Sequence, residues 1–146
     1  MPIPVFLQES PAALLGILTS SSNFDVDIAQ RGAWQESISI LKEALQGVDG
    51  YLFLEFDIPR LGSRIDAVIL SGSAVIPIEF KSGEARFSRN AINQAWDYGL
   101  DLKNFHEASH DVPIFPILVA PNAGTSDSAW APPHRDGDKE TLLLLG

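Results

Sequence analysis

The sequence predicts a mixed α/β domain organised around a central β-hairpin. Two observations carry this prediction: three strand-like segments follow one another between residues 51 and 81, and helical patterns precede and follow them. A further apolar strand pattern at residues 114–120 completes the order α-α-β-β-β-α-β. With 146 residues, 45% of them hydrophobic and 20% charged, the chain can bury one core, so disorder along its whole length is excluded.

The segment before residue 47 is predicted to be helical. Ser10 followed by Pro11 is typical of an N-cap with proline at the first helical position, and it precedes the apolar stretch AALLGIL. After a loop at residues 20–25, a longer helix is predicted to end near Gly47. Its surest evidence is a set of apolar residues at helical spacing: Trp34, Ile38, Leu41 and Leu45.

Three strands are predicted in the middle of the chain. Residues 51–59 are rich in aromatic and aliphatic side chains and end in a proline, which favours a first strand. Residues 63–70 and 75–81 are predicted to form the next two strands, joined by a turn at residues 71–74. Pro77 lies inside the third strand, and a strand proline belongs at an edge or a bulge because it cannot donate to the ladder.

The remainder of the chain is predicted to hold one helix and one or two strands. The helix covers residues 88–110, and residues 121–138 are rich in Pro, Gly, Ser and Asp, which is typical of a loop or linker. Residues 1–121 are therefore predicted to form the folded domain. We expect residues 122–146 to be a linker in which residues 142–145 either pair back on the sheet or lie near a cut from a longer protein.

Composition excludes several classes of site. The chain has no cysteine, so it has no disulfide, no thiolate nucleophile and no Cys-ligated zinc. No apolar run reaches the length of about 18 residues that a membrane span needs. The N-terminus lacks the basic region of a signal peptide. We therefore expect a cytoplasmic protein without a membrane partner.

The charge of the chain is unevenly distributed. The net charge is −9, which argues against nonspecific binding to nucleic acid. Residues 60–103, however, contain six basic and five acidic side chains, so this middle block carries +1 while the rest of the chain carries −10. Any surface that meets a polyanion is expected to lie in the middle block.

The predicted hairpin brings ionisable side chains together. A four-residue turn places Asp66 opposite Glu79 and Arg64 opposite Lys81, all four on one face of the sheet. Two opposed carboxylates repel each other, and a divalent cation with oxygen ligands relieves the repulsion. The alternative is a solvated face on which Arg64 and Lys81 neutralise the two acids. The opposite face is predicted to be core: Ile65, Ala67, Ile69, Ile78 and Phe80.

The motif Asp66, twelve intervening residues, then Glu79-Phe80-Lys81 resembles the core of the PD-(D/E)xK nuclease superfamily, although no proline directly precedes Asp66. The segment from Gln94 to Tyr98 is similar to the QxxxY motif of its RecB-like branch. The stretches IPRLGSRIDAVIL, PIEFK and PIFPILVAP also resemble the region that precedes Schlafen-group-3-like, superfamily-1 helicase modules. The resemblance implies a restriction-endonuclease-like mixed sheet with a central hairpin flanked by helices.

The resemblance also implies a metal site. Asp66 and Glu79 would bind Mg²⁺ or Mn²⁺ together with the backbone carbonyl of Phe80, and Lys81 would position the attacking water. Glu36, on the helix before the first strand, would be an outer metal ligand. The alternative for Glu36 is an ordinary acid in the first turns of a helix, favoured by the helix dipole.

The implied activity is metal-dependent hydrolysis of phosphodiester bonds in DNA, with RNA as the alternative polymer and a helicase as partner or fused module. Gln94 and Tyr98 would support the site or touch the DNA backbone; otherwise they are a surface amide and a core aromatic. Four arginines are candidates for binding phosphate. The four are Arg60, Arg64, Arg86 and Arg89. For Arg60 and Arg64 the alternative is that they stabilise the fold by pairing with Asp57 and nearby acids.

Two other functions compete with the nuclease. The first is a catalytically silent nucleic-acid-binding or scaffolding domain of the same fold. The second is a zinc protease, because His106-Glu107-Ala108-Ser109-His110 spells the HExxH pattern. That pattern needs a third ligand, for which the downstream sequence offers poor candidates, and two histidines near a helix end have a simpler explanation in the helix dipole.

Overall fold

The chain folds into four helices, one short 3-10 helix and six strands in a computed structural model that describes residues 1–22, 25–58, 61–124, 129–130 and 143–145. The chain comprises two compact units, Met1–Leu52 and Phe53–Gly146. The mixed α/β class predicted from the sequence is confirmed. The helices are α1 (Ile3–Gln8), α2 (Pro11–Ser21), α3 (Ile28–Ala44) and α4 (Arg89–Phe105), and the strands are β1 (Tyr51–Ile58), β2 (Ser63–Ser71), β3 (Ala74–Phe80), β4 (Ile117–Val119), β5 (Ala129–Trp130) and β6 (Leu143–Leu145).

Side-chain caps begin two helices of the first unit, and the cap at Ser10 is the one that the sequence predicts. Ser10 accepts a hydrogen bond from the backbone N–H of Ala13 at 3.1 Å, which starts α2. Asp27 does the same for Gln30 at 2.7 Å and starts α3. The α2 helix runs through Ser21, so the predicted loop begins later than expected. The predicted apolar face of α3 is buried: Trp34, Ile38, Leu41 and Leu45.

The first helix, α1, is absent from the sequence prediction. Two of its side chains, Ile3 and Phe6, are completely buried. The carbonyls of Phe6 and Leu7 at its C-terminal end accept hydrogen bonds from Lys42 Nζ at 2.7 and 3.1 Å. A helix of six residues is unstable alone, and this one depends on a lysine distant in sequence, so local pattern could not reveal it.

The sheet has the strand order β1-β2-β3-β4-β6-β5. Strands β2 and β3 pair antiparallel from Ala67↔Ile78 to Ser71↔Ala74, which confirms the predicted hairpin register. The β3–β4 and β4–β6 pairs are parallel, and β5 pairs antiparallel with β6. The expected return of the last strand to the sheet is confirmed. The prediction of a continuous loop over residues 121–138 is wrong at β5.

Helix α4 packs on β3 and β4 and covers one face of the sheet. Ala91, Ala95 and Trp96 form a buried cluster with Leu118 of β4. Farther along the helix, Leu102 packs in a second buried cluster, whose other members are Ile58, Ile65, Val68, Val75 and Ile114. The hairpin residues predicted to be core are all buried: Ile65, Ala67, Ile69, Ile78 and Phe80.

Pro77 lies in the interior strand β3, opposite Val68, so the expectation of an edge or a bulge is wrong. The N–H groups of Val75 and Lys81 both donate toward the β4 side of β3, at 2.9 and 2.8 Å. By the two-residue period of a strand, the nitrogen of Pro77 faces the same way. The lost hydrogen bond falls between the isolated bridge Val75↔Ile114 and the start of β4 at Ile117, a short interval in which the two segments are not paired.

Strand β1 departs from regular geometry at Glu55, whose φ is +51°. Residues three apart in a regular strand point to opposite faces, yet the rings of Phe53 and Phe56 lie edge to face with centroids 6.1 Å apart. A left-handed residue between them accounts for this, because it shifts the alternation of side chains. The sequence carries no signal of this feature, since glutamate rarely adopts a positive φ.

Helix α4 ends earlier than the sequence predicts, at Phe105 instead of residue 110. His106 is its C-cap residue, with an extended backbone, and a 3-10 turn, Glu107–Ser109, follows. Among the described residues, no helix combines the length and the apolar character that crossing a membrane requires.

Gly99 of α4 packs against Pro116, the residue that precedes β4. A Cβ atom there would lie 2.6 Å from Cγ of Pro116, closer than two carbon atoms can pack. We expect Gly99→Ala to lower the free energy of unfolding by about 1–3 kcal/mol, although alanine favours helix by about 1 kcal/mol. The matched control is Gly32→Ala in α3, where a Cβ would meet open space. Urea denaturation followed by circular dichroism measures both, and equal stability of the two variants would contradict the close packing.

Candidate active site

Asp66 is held at the point where β2 and β3 stop pairing. Its Oδ2 accepts a hydrogen bond from the backbone N–H of Phe80 at 2.8 Å. The next N–H, of Lys81, donates to Val119 on the opposite side of β3, so the Phe80 N–H faces β2 by strand alternation. The Asp66 carboxylate therefore accepts the hydrogen bond that a backbone carbonyl of β2 would accept if the two strands were still paired. This hydrogen bond fixes the Asp66 carboxylate beside Glu79. Sequence reasoning missed this contact because a backbone group leaves no mark in the residue pattern.

Glu79 is buried between the sheet and α4. It pairs with Leu118 of β4, and paired residues share a face, here the face that α4 covers. The residue is 5% exposed. Its Oε1 lies 3.0 Å from Lys81 Nζ, whereas its Oε2 is fully buried and has no hydrogen-bond partner among the described residues. A buried carboxylate oxygen without a partner is unfavourable unless it takes up a proton or a ligand.

Two residues of α4 extend this pair into a chain of hydrogen bonds. Lys81 Nζ donates to Gln94 Oε1 at 2.7 Å, and Gln94 Nε2 donates to the Tyr98 hydroxyl at 2.8 Å. Gln94 and Tyr98 lie one helical turn apart, on the side of α4 that meets β3. The structure thus brings Asp66, Glu79, Lys81, Gln94 and Tyr98 together, as the sequence analysis expected.

Burial controls the electrostatics of this cluster. Burial, and after it the neighbouring charge of Asp66, raise the pKa of Glu79 to about 7, and Lys81 opposes the shift. Burial also raises the pKa of Asp66, against the effects of the Phe80 N–H and of Lys81. For Tyr98, burial and then the charge of Glu79 raise the pKa of the hydroxyl. One lysine cannot neutralise two buried carboxylates, so the cluster favours an additional positive charge.

Arg64 does not join the cluster, which corrects the predicted meeting of four ionisable groups. Its guanidinium pairs instead with Asp57 at 3.0 Å and with Glu55 at 3.5 Å, both on β1. The left-handed backbone at Glu55 is part of the local geometry that places an acid there. The alternative prediction was a solvated face on which Arg64 and Lys81 neutralise Asp66 and Glu79. Only half of it is observed, because Lys81 contacts Glu79 but Arg64 contacts neither of these two acids. A phosphate contact by Arg64, whose side chain is 41% exposed, remains a prediction.

The other predicted site residues are spread along the chain. Arg86 and Arg89 are exposed around the start of α4, whose N-cap is Ser88, and their contact with nucleic acid remains a prediction. Arg60 lies outside the described residues. Glu36 lies on α3 in the first unit, half-buried, and its role as an outer metal ligand also remains a prediction.

The HExxH letters do not form the zinc-binding geometry of a protease. Two histidines four apart must share one α-helical face to bind one metal, but α4 ends before His106. His106 Nδ1 lies 2.7 Å from Ser109 Oγ, which closes a local turn. Within the described ranges no group of three or more His, Asp or Glu side chains is placed to hold a metal.

A hard divalent cation nevertheless fits the Asp66–Glu79 pair. Mg²⁺ keeps several of its water ligands and is commonly held by one or two carboxylates, so a third acidic side chain is not required. The unpartnered Oε2 of Glu79 offers a ligand atom, and the two carboxylates are the hard oxygen donors that Mg²⁺ and Mn²⁺ prefer. The carbonyl of Phe80, between Glu79 and Lys81, is a candidate third donor.

No protein-family model matches this chain, and no curated protein matches it either. The function of the cluster must therefore follow from its own chemistry. That chemistry is a pair of buried carboxylates, a lysine in contact with one of them, and an amide and a phenol that extend the lysine's hydrogen bonds.

The raised pKa of Glu79 predicts a stability that falls as pH rises in the metal-free protein. Because the folded-state pKa is about 7 and the ordinary value is 4.5, the folded protein holds a proton that the unfolded chain releases. This contribution is complete below about pH 4.5 and is lost as pH rises through about 7, with a slope of at most about 1.4 kcal/mol per pH unit. Urea denaturation in EDTA from pH 4.5 to 8 measures it.

Glu79→Gln should remove this part of the pH dependence, because the amide does not titrate. Asp97→Asn is the matched control, since Asp97 is exposed on α4 and loses the same charge. A Glu79→Gln protein that kept the slope of the unmodified protein would contradict the assignment of the raised pKa to Glu79.

Proposed function

We propose that this chain is a metal-dependent nuclease that hydrolyses phosphodiester bonds of DNA, with RNA as the alternative polymer. The observation that carries the proposal is the buried carboxylate of Glu79, with one oxygen on Lys81, the other without a partner, and Asp66 beside it. The restriction-endonuclease-like arrangement and a helicase as partner or fused module belong to the same proposal. They rest on the resemblance of the sequence motifs.

The metal would occupy the place where the two acids converge. Asp66 and Glu79 would hold Mg²⁺ or Mn²⁺, which polarises a phosphoryl oxygen and lowers the pKa of a bound water. The protein contributes by keeping both carboxylates fixed, Asp66 through the Phe80 N–H and Glu79 through Lys81. Fixed ligands need no reorganisation during the reaction, which is the main advantage that a folded site has over water.

Lys81 has one donor left for the substrate. Its ammonium group carries three N–H donors, and two are directed at Glu79 Oε1 and Gln94 Oε1. The third can orient the attacking water or donate to the negative charge that develops on the phosphate. These contacts fix the direction of the third N–H, because a tetrahedral nitrogen with two bonded hydrogens directed leaves one position free.

The surface charge favours a mechanism in which a partner delivers the substrate to the site. Arg86 and Arg89 are exposed near the start of α4, within the middle block that carries +1. The chain as a whole carries −9, so long-range attraction of nucleic acid is weak. A partner that presents the strand, such as the helicase suggested by the sequence resemblance, would compensate for this weak attraction.

Metal binding should stabilise the protein in a way that depends on the two acids. We expect Mn²⁺ and Mg²⁺ to raise the melting temperature, by the equivalent of about 2.7 kcal/mol at a metal concentration a hundredfold above Kd. Asp66→Ala should abolish the rise because it removes one of the two carboxylates. Thermal denaturation with and without metal measures this, and Asp97→Asn, which should keep the rise, is the control. An equal rise in the Asp66→Ala protein would place the metal elsewhere.

Cleavage should require Lys81 as well as the acids. We expect Lys81→Met to lower the cleavage rate by about 10²–10³, because the substitution removes the donor that would orient the attacking water or stabilise the charge on the phosphate. The control is Lys103→Met, which removes a lysine in the last turn of α4, and it should leave the cleavage rate within about twofold. Single-turnover cleavage of single- and double-stranded DNA and of RNA with Mn²⁺ measures the rates. A protein that binds Mn²⁺ and nucleic acid but cleaves none of these polymers would favour the catalytically silent domain.

A further inference from the structure

Arg64 lies within reach of Asp66 but does not pair with it. The two residues are two positions apart on β2, so their side chains leave the same face of the sheet from Cα atoms about 6.5 Å apart. An arginine side chain spans that distance, and a guanidinium binds a carboxylate through two parallel hydrogen bonds. In the structure, however, Arg64 Nε lies 3.0 Å from Asp57 Oδ1 and Nη1 lies 3.5 Å from Glu55 Oε2, both on β1.

The partner of Arg64 determines the charge of the candidate metal site. Asp66, Glu79 and Lys81 together carry one net negative charge, and a guanidinium paired with Asp66 would bring the sum to zero. A dication would then have to displace Arg64, since both need the same carboxylate oxygens. Two acids with two bases form a satisfied ion-pair network, whereas two acids with one base still favour a cation.

Glu55 contacts Arg64 from an unfavourable backbone conformation. Its φ of +51° lies in the left-handed region, which favours glycine over a residue with a Cβ atom. Such strain persists only where surrounding contacts maintain it, and it is common beside functional sites. The Glu55 side chain is 18% exposed, whereas that of Asp57 is 73% exposed. Because an exposed ion pair is weak, the less exposed Glu55 strengthens the hold of β1 on Arg64.

We propose that Glu55 and Asp57 are positioning residues of the metal site, which hold Arg64 on β1 and keep its guanidinium away from Asp66. This inference rests on the proposed function, because it concerns the affinity of Asp66 and Glu79 for a dication. It assigns a role to two acids that lie outside the metal site and outside the sequence motifs. It also explains why the predicted neutral face of the hairpin is observed with two acids and only one base.

Calorimetric titration of four proteins with Mn²⁺ tests this role. The four are the unmodified protein, the double variant Glu55→Gln with Asp57→Asn, the single variant Arg64→Gln, and the triple variant that combines these changes. We expect the double variant to bind Mn²⁺ about tenfold or more weakly, because the released Arg64 pairs with Asp66 and charged hydrogen bonds are worth about that factor. The triple variant should regain most of the affinity. Arg64→Gln alone should change the affinity by less than about threefold, since Arg64 is already away from Asp66.

The comparison of these proteins separates a positioning role from two simpler effects. Loss of two negative charges weakens cation binding at long range, but long-range charge makes Arg64→Gln equally favourable with and without the two acids, so it produces no coupling. Titration in 1 M NaCl, where the Debye length is about 3 Å, suppresses this effect further. A damaged fold is not repaired by a third substitution, so recovery of affinity in the triple variant excludes that explanation.

The matched control is Asp97→Asn with Glu107→Gln. It removes the same two kinds of acid from exposed positions of the second unit. The control protein should bind Mn²⁺ within about twofold of the unmodified protein, because neither change releases Arg64 from β1.

The outcomes distinguish the inference from the function beneath it. If the unmodified protein binds no Mn²⁺, the proposed function fails and this inference fails with it. If Mn²⁺ binds and the double variant binds it as tightly as the unmodified protein, the inference alone is overturned. It is also overturned if Arg64→Gln raises the affinity by the same factor with and without the two β1 acids, because Arg64 would then act only through distant charge.

Discussion

The burial of the Glu79 carboxylate is the constraint on which the rest of the cluster depends. A charge that has lost its water must be compensated by a partner, a proton or a metal ion. Lys81 supplies one partner on Oε1, and the raised pKa of Glu79 shows that this compensation is incomplete. The nearby Asp66 increases the deficit, since its charge repels that of Glu79. The hairpin places these acids side by side where stability alone would separate them.

Much of this cluster follows from periodicity, and for a physical reason. The hairpin register depends on the length of a turn, and the face of each strand residue depends on a period of two, so the sequence could place Asp66 and Glu79 next to each other although the observed pairing ends one residue earlier, at Ala67↔Ile78. The side of α4 that carries Gln94 and Tyr98 follows in the same way from the helical period. These regularities hold because backbone geometry, and not side-chain detail, determines them.

What the sequence could not reveal depends on single backbone conformations or on distant contacts. Arg64 turns to β1 beside Glu55, whose positive φ no propensity predicts. Helix α1 depends on Lys42, far along the chain, and the end of α4 depends on a turn at His106. The bond between Asp66 and the Phe80 N–H arises where two strands stop pairing, which the pattern of side chains does not mark.

Charge balance links the unfavourable apo cluster to the proposed substrate. With both acids ionised and Lys81 protonated, the three groups carry one net negative charge, so a monovalent cation would already neutralise them. A divalent cation instead leaves one net positive charge in a buried, weakly screened setting. A phosphodiester carries one negative charge, and it would return the site to neutrality. On the proposed function, the two acids and Lys81 together therefore suit a dication that binds one phosphodiester, because only the three components together are neutral.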